Sequence, residues 1–352
     1  MKKARVMYVL EQYPAISETY IKNEMEAVGD DYEIAVISAR RAQTTYRNHF
    51  PFRQLSDPAM VLEAVQEFRP HVLHGHWLHQ AKLLSYLSKK TNIPFTLRAH
   101  SFDSIIPGRK SQEASDPDAR GRIPSHIRRA APLINDELCL GVITFPFTQP
   151  VFEAAGFRPE KIFPCYPVVN YQRFYDPSPN GDAVLNVGAC IPKKKMGNYL
   201  KLAQRMPGLE FNLYPLSYQI DRISDLNQAM GGPVKIMPAI EPEDMPSEYK
   251  KHRWMVYTAC TRMRTVGWPM AVAEAQASGV GVCIQNLRPD LKEYVGEAGY
   301  LFDTLREAAD TISKPFPEEK RQLGFAQAKK SDIATHKTIL TGLWQQASAA
   351  GL

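Results

Sequence analysis

Short apolar runs alternate with segments of helical period from one end of the chain to the other. Residues 5–10 form a compact apolar run, and Ser17-Glu18-Thr19-Tyr20 then opens a helix reaching residue 27. Residues 32–38 are again strand-like. Asp57-Pro58 begins a helix to Phe68, with proline where a helix start tolerates it. A strand over 71–77, a helix over 80–91 and strands over 94–100 and 141–145 follow. A second run of the same kind starts at Ala183, with strands over 184–188, 210–215, 234–238, 254–258 and 281–284. Its helices are expected over 196–206, 245–251 and 270–278, and a charged helical tail over 315–352. Alternation of this kind predicts an α/β chain with parallel sheets. Residues 167–177 mark the boundary between the runs, and Ser178-Pro-Asn-Gly-Asp182 reads as a linker.

At 352 residues the chain is long enough for two domains, and 44% hydrophobic with 23% charged residues is an ordinary globular composition. A net charge of +6 suits an anionic ligand or membrane surface and gives no reason to expect nucleic acid. Cys139, Cys165, Cys190, Cys260 and Cys283 are scattered and lack paired spacing, so buried free thiols in a reducing compartment are expected. The charged start Met1-Lys2-Lys3-Ala4-Arg5 lacks a signal-peptide core behind it, and no apolar run approaches a membrane span. The expectation is a cytoplasmic protein, with peripheral contact to the inner face of the cytoplasmic membrane. Residues 101–129 form a long polar stretch carrying Arg109, Lys110, Arg120, Arg122, Arg128 and Arg129. Such a stretch is either a functional loop or a surface insertion.

The densest chemical signal is Thr265-Val266-Gly267-Trp268-Pro269-Met270, followed by small residues through Glu274 to Ser278-Gly279 and then by Val280-Gly281-Val282. A tight Gly-x-Pro loop opening a helix suits a phosphate or a sugar hydroxyl, and Glu274 can turn a carboxylate toward the same place. This stretch resembles the donor-sugar motif of retaining GT-B glycosyltransferases of family 4, written Glu-Gly-x-Pro, four residues, then Glu-Ala. Here the first Glu is Val266. Further segments resemble the family in order: Tyr13-Pro14 through Ile21, His71 through Trp77, Pro94 through Asp103, Gly156 through Ile162, Phe174, and Leu185-Asn186-Val187-Gly188.

The resemblance implies a GT-B fold, two Rossmann-like domains facing each other across a central cleft. It implies an N-terminal acceptor-side domain over 1–172, completed by a C-terminal helix at about 333–352, and a donor domain over 178–332. The activity implied is retaining, metal-independent transfer of a sugar from a nucleotide donor, UDP- or GDP-linked, to a hydroxyl acceptor. No cofactor beyond that substrate is expected. Saccharide or lipid-linked saccharide acceptors of bacterial surface polysaccharide or lipopolysaccharide synthesis are the implied partners.

His100 and Lys194 are the expected catalytic residues. Lys195, Gly267, Trp268, Pro269, Met270 and Glu274 are expected to bind the donor, with Glu274 on the ribose diol. The family's phosphate-binding Arg is Ala189 here, so Arg262 and Arg264 are the candidates to replace it. Ser17, Glu18 and Asp103 fall on the acceptor side, and helix capping is the stronger expectation for Asp103. His71, His74, His76 and His79 lie close in sequence without a nearby carboxylate or thiol, so no metal site is expected. Asp116-Pro117-Asp118 resembles a metal motif of another fold and is set aside. Two alternatives remain open, a non-catalytic nucleotide-sugar-binding protein and another GT-B enzyme such as a sugar-nucleotide epimerase.

Overall fold

A computed structural model describes residues 3–110, 112 and 123–349. The chain divides into two compact units. One gathers Met1–Ile106, Gln112–Tyr166 and Ile333–Leu352, and the other Pro107–Ser111 and Pro167–Asp332.

The first unit is built on β1 (Ala4–Tyr13), β2 (Tyr32–Arg41), β3 (Arg53–Gln54), β4 (Val72–His76), β5 (Phe95–Arg98), β6 (Cys139–Thr144) and β7 (Ile162–Pro164). They pair, all parallel, in the order β3-β2-β1-β4-β5-β6-β7. Alternation along β1 sorts its side chains onto two faces. Met7 and Val9 join a core with Leu84, Leu97 and Ile127, while Val6, Tyr8 and Leu10 join another with Ile21, Met25 and Trp344. The helix Ile333–Ala349 therefore completes the core of this unit, and Trp344 Nε1 donates to Thr96 Oγ1 at 2.9 Å.

The second unit holds β8 (Ala183–Cys190), β9 (Phe211–Tyr218), β10 (Lys235–Ile236), β11 (His252–Tyr257), β12 (Gly281–Gln285) and β13 (Tyr300–Phe302), in the parallel order β10-β9-β8-β11-β12-β13. Val184, Trp254, Val256 and Cys283 pack its core with Tyr199 and Leu200. In each sheet the strand order reverses once, between β1 and β4 and between β8 and β11. Ligands of open α/β sheets bind beyond the carboxyl ends of the strands at such reversals.

Several short elements go beyond the sequence expectation. β3, β7 and β13 are two or three residues long, too short to show a period. The helices Ile220–Ala229, Asp290–Val295 and Leu305–Ile312 were also not expected. Among its described residues, the polar stretch 101–129 is not all loop. It opens as a helical turn, Ser101–Ser104, and ends inside the helix Ser125–Ile134. Arg120, Arg122 and Asp116-Pro117-Asp118 lie outside the described residues. All five cysteines are free and buried.

Candidate active site

In the second unit, the turn after β8 and the loop after β11 flank the strand reversal. Lys193, Lys194 and Lys195 follow β8 in a tight 3-10 turn, with Lys195 in the left-handed region. This turn is tied to the β11 loop. Thr258 Oγ1 donates to the Lys194 and Lys195 carbonyls at 2.9 and 3.2 Å, and Cys260 N donates to the Lys193 carbonyl at 2.8 Å.

The tie turns Lys194 back over the end of β8. Gly188 has φ +149°, and a Cβ there would collide with Lys194 Nζ, so only glycine leaves room for the amine. Nζ also lies 5.4 Å from the centre of the Tyr257 ring. Burial pulls the Lys194 amine down to about 8. Among the described residues no carboxylate pairs with it. A desolvated cation without a counter-ion is costly unless an anion arrives.

The loop before the helix Met270–Ala277 is clamped from behind. Arg288 is fully buried. Its Nε donates to Asp290 at 2.8 Å, and its Nη1 donates to the carbonyl of Val266 at 2.9 Å and to that of Arg264. Trp268 Nε1 donates to Asp290 at 2.9 Å, its ring stacks on Tyr294 at 4.9 Å, and Tyr294 Oη donates to the Pro269 carbonyl. Trp268 thus holds the loop's shape. Gly267 is buried beside it, and Pro269 and Met270 are half-buried. Glu274 is buried one turn further on. Its Oε2 accepts from Tyr249 Oη at 2.8 Å, and among the described residues Oε1 has no hydrogen-bond partner. Burial pushes this carboxyl up to about 7, against the Tyr249 hydrogen bond and the charge of Arg173.

Of the two replacement cations, Arg264 sits in the left-handed region and directs its guanidinium to the Leu287 carbonyl. That side chain ties the loop to the segment that follows β12. Arg262 is exposed.

In the first unit, β1, β4 and β5 end around one cluster. Asp103 accepts from Leu78 N at 2.5 Å and from His100 N at 2.6 Å, so its carboxylate caps the turn as expected. His100 is buried between the rings of Trp77 and Tyr20, with centroids at 4.3 and 4.4 Å. Burial holds its pKa well below the ordinary value. Trp77 has φ +75°, uncommon for a bulky residue, and its ring stacks on the exposed Phe102 at 4.9 Å. Glu18 is buried and pushed up to about 7 by that burial, with Gln12 donating to it at 2.9 Å. Ser17 is half-buried in the same 3-10 turn.

The histidine run does have a carboxylate. Glu24 reaches it from the helix Thr19–Val28, with Oε1 2.9 Å from His74 Nε2 and 3.3 Å from His76 Nε2. These three ligand-type atoms lie within 4.8 Å of one another. His336 from the C-terminal helix donates to Glu24 Oε2, and Arg98 Nη1 donates to His336 Nδ1 at 2.6 Å. Glu24 and His336 were missed in the sequence, because the contact joins residues 312 positions apart. A signal existed for Glu24 alone. Ile21, Glu24, Met25 and Val28 share the buried face of one helix, so the carboxylate had to point inward.

No protein-family model matches this chain, and no curated protein is similar to it in sequence. Solved structures do match its architecture. HepE of Anabaena, solved with UDP-glucose, superposes with a TM-score of 0.71 at 15% identity, covering 98% of each chain. Sucrose-phosphate synthase of Thermosynechococcus elongatus gives 0.72 at 15% identity over 99% of this chain and 100% of that one. The lipopolysaccharide outer core galactosyltransferase WaaB gives 0.60 at 10% identity over 99% and 100%. The fold is GT-B. In this GT-B chain Lys194, Lys195, Gly267 and Glu274 belong to the second unit, while Ser17, Glu18, His100 and Asp103 belong to the first. Among the described residues no helix is long and apolar enough to cross a membrane.

Proposed function

We propose that this chain is a retaining glycosyltransferase that moves a sugar from a nucleotide donor to a hydroxyl acceptor. The observation that carries this reading is Lys194, a desolvated cation held over Gly188 at a strand reversal with no carboxylate beside it. A diphosphate is the natural counter-ion there. It gains negative charge as the anomeric bond breaks, so a fixed cation favours the transition state over the ground state. Lys195 stands next to it, and the exposed Arg262 is the remaining candidate cation near the loop. Glu274 Oε1 is the oxygen left for the ribose diol, and the clamped loop Gly267–Met270 shapes the sugar site.

Retention follows the front-face route. The bond from the anomeric carbon to the phosphate oxygen breaks, and the acceptor oxygen bonds to that carbon on the same face. The acceptor proton passes to the departing phosphate oxygen. Side chains neutralise the phosphates, so the transfer is metal-independent. The acceptor is a saccharide or lipid-linked saccharide of bacterial surface polysaccharide or lipopolysaccharide synthesis, met in the cytoplasm at the membrane face. HepE binds UDP-glucose, which supports a UDP-linked donor.

Val266 and Ala189, where the family carries a Glu and an Arg, favour two narrower readings. One is a donor lacking a hydroxyl at that position, such as a deoxy sugar. The other is a binding protein that turns nothing over. Thermal-shift titration with UDP, GDP, ADP and TDP, alone and sugar-linked, tests the site. A base-specific stabilisation lost in Lys194→Ala supports the reading. No stabilisation by any nucleotide overturns it, and binding without sugar transfer to any acceptor selects the binding protein.

A further inference from the structure

The buried polar cluster of the first unit fixes the protons of its histidines. Glu24 is the end from which they can be assigned. Burial pushes its carboxyl up, but His74, His76 and His336 together hold it well below its ordinary value, so it is ionised. An ionised carboxylate only accepts hydrogen bonds. His76 Nε2, 3.3 Å from Glu24 Oε1, must therefore carry a proton. Burial lowers His76 to about 4, so the ring is neutral and its Nδ1 is a bare lone pair. That lone pair faces His100 Nε2 at 3.0 Å, which must then be the donor. His100, also neutral, keeps its lone pair on Nδ1.

The other end of the chain agrees. His100 caps the turn Ser101–Ser104 by accepting from the Asp103 amide, while Asp103 accepts from the His100 amide. A backbone N–H can only donate, so the ring nitrogen it meets has no proton. Because His100 Nε2 lies on His76, the nitrogen left for the turn is Nδ1, and the two ends agree on one tautomer. The same assignment puts a proton on His76 Nε2, the atom that would otherwise ligate a metal alongside Glu24 and His74.

We propose that Glu24 and His76 are positioning residues that hold His100 as the neutral imidazole protonated on Nε2. Both ring nitrogens of His100 are committed, so the ring exchanges no proton during transfer. It shapes the turn over which it is packed, between Trp77 and Tyr20. The functional consequence rests on the glycosyltransferase reading above, whereas the tautomer does not.

Glu24→Gln exposes the arrangement. Glu24 accepts on both sides, from His76 at Oε1 and from His336 at Oε2. An amide can accept on only one. If its NH2 faces His76, the proton order reverses and His100 Nδ1–H meets the Asp103 amide. If it faced His336, that ring would have to carry its proton on Nδ1 against the charged Arg98 donor, so the amide is expected to face His76.

The experiment is nitrogen-15 NMR of the full chain labelled at histidine, with His100 assigned by loss of its signals in His100→Asn. The expected result is a single neutral Nε2–H tautomer that stays neutral between pH 5 and 8. A proton on Nδ1, or ordinary titration near 6.5, overturns the proposal. In folded Glu24→Gln, His100 is expected to lose that single tautomer, and kcat to fall roughly tenfold to hundredfold with little change in donor KM. An unchanged tautomer in that variant also overturns it. If no nucleotide sugar binds the wild-type protein, the glycosyltransferase reading fails while the tautomer result stands.

Discussion

Tyr249 Oη donates to Glu274 Oε2 at 2.8 Å, and the two side chains share a pocket dry enough to push the carboxyl up to about 7. The hydroxyl offsets only part of the desolvation. The protein thus keeps an ionisable acceptor near neutrality at a cost in stability.

That cost has a sign. The folded pKa is raised, so the penalty is absent below the ordinary value of 4.5, grows as pH rises, and is complete above about 7. The gap corresponds to about 3 kcal/mol. Glu274→Gln is expected to raise Tm above wild type at pH 8 and to leave it unchanged near pH 4. Nucleotide affinity should fall by about tenfold to hundredfold, the worth of a hydrogen bond to a charged group. Thermal melts across pH, with and without nucleotide, check both parts. A variant less stable than wild type at pH 8 would count against the buried, uncompensated carboxylate.

Gly188 and Lys194 make a second test. Gly188→Ala forces the Lys194 amine away from the end of β8 and places a side chain at φ +149°. A strained residue of this kind costs on the order of 1–3 kcal/mol, so Tm should drop modestly. Diphosphate affinity should drop about tenfold, as expected for losing one well-placed charge contact. In wild type, where the amine titrates at about 8, diphosphate binding is expected to weaken as pH rises through that value. Isothermal titration with UDP between pH 6 and 9.5 measures this. A flat profile would mean that Lys194 does not meet the phosphates.

Arg288→Gln tests the clamp. The fully buried guanidinium serves Asp290 and two loop carbonyls at once. Removing it leaves Asp290 without its counter-ion, and breaking a buried pair costs roughly 3–5 kcal/mol. Denaturant unfolding should show that loss. Arg288→Lys should recover only a fraction, because one ammonium cannot span the three acceptors. Equal stability of the Lys variant and wild type would refute the clamp.

The alternating runs made the two parallel sheets legible, because each strand's own residues carry the pattern. Gly188, Lys194 and the Gly267 loop were legible for the same reason, as local motifs at strand ends. Asp103 was legible as a cap because it lies three residues after His100. What escaped was long-range or short. Arg288 follows a strand by a few residues in a segment without period, and nothing local ties it to Val266. Trp268 was expected on the donor, whereas its indole is committed to Asp290 and Tyr294. Glu24 could be placed on a buried face, but its meeting with His336 depends on where the last helix returns.

That return orders events during synthesis. The helix Ile333–Ala349 supplies Trp344 to Thr96 and His336 to Glu24, so the first unit lacks part of its core until these residues leave the ribosome. The second unit, closed by Asp332, is fully translated before then. Domains usually mature in the order of their translation. In this chain the unit that starts first is the one that must wait, holding an incomplete sheet face while its neighbour folds.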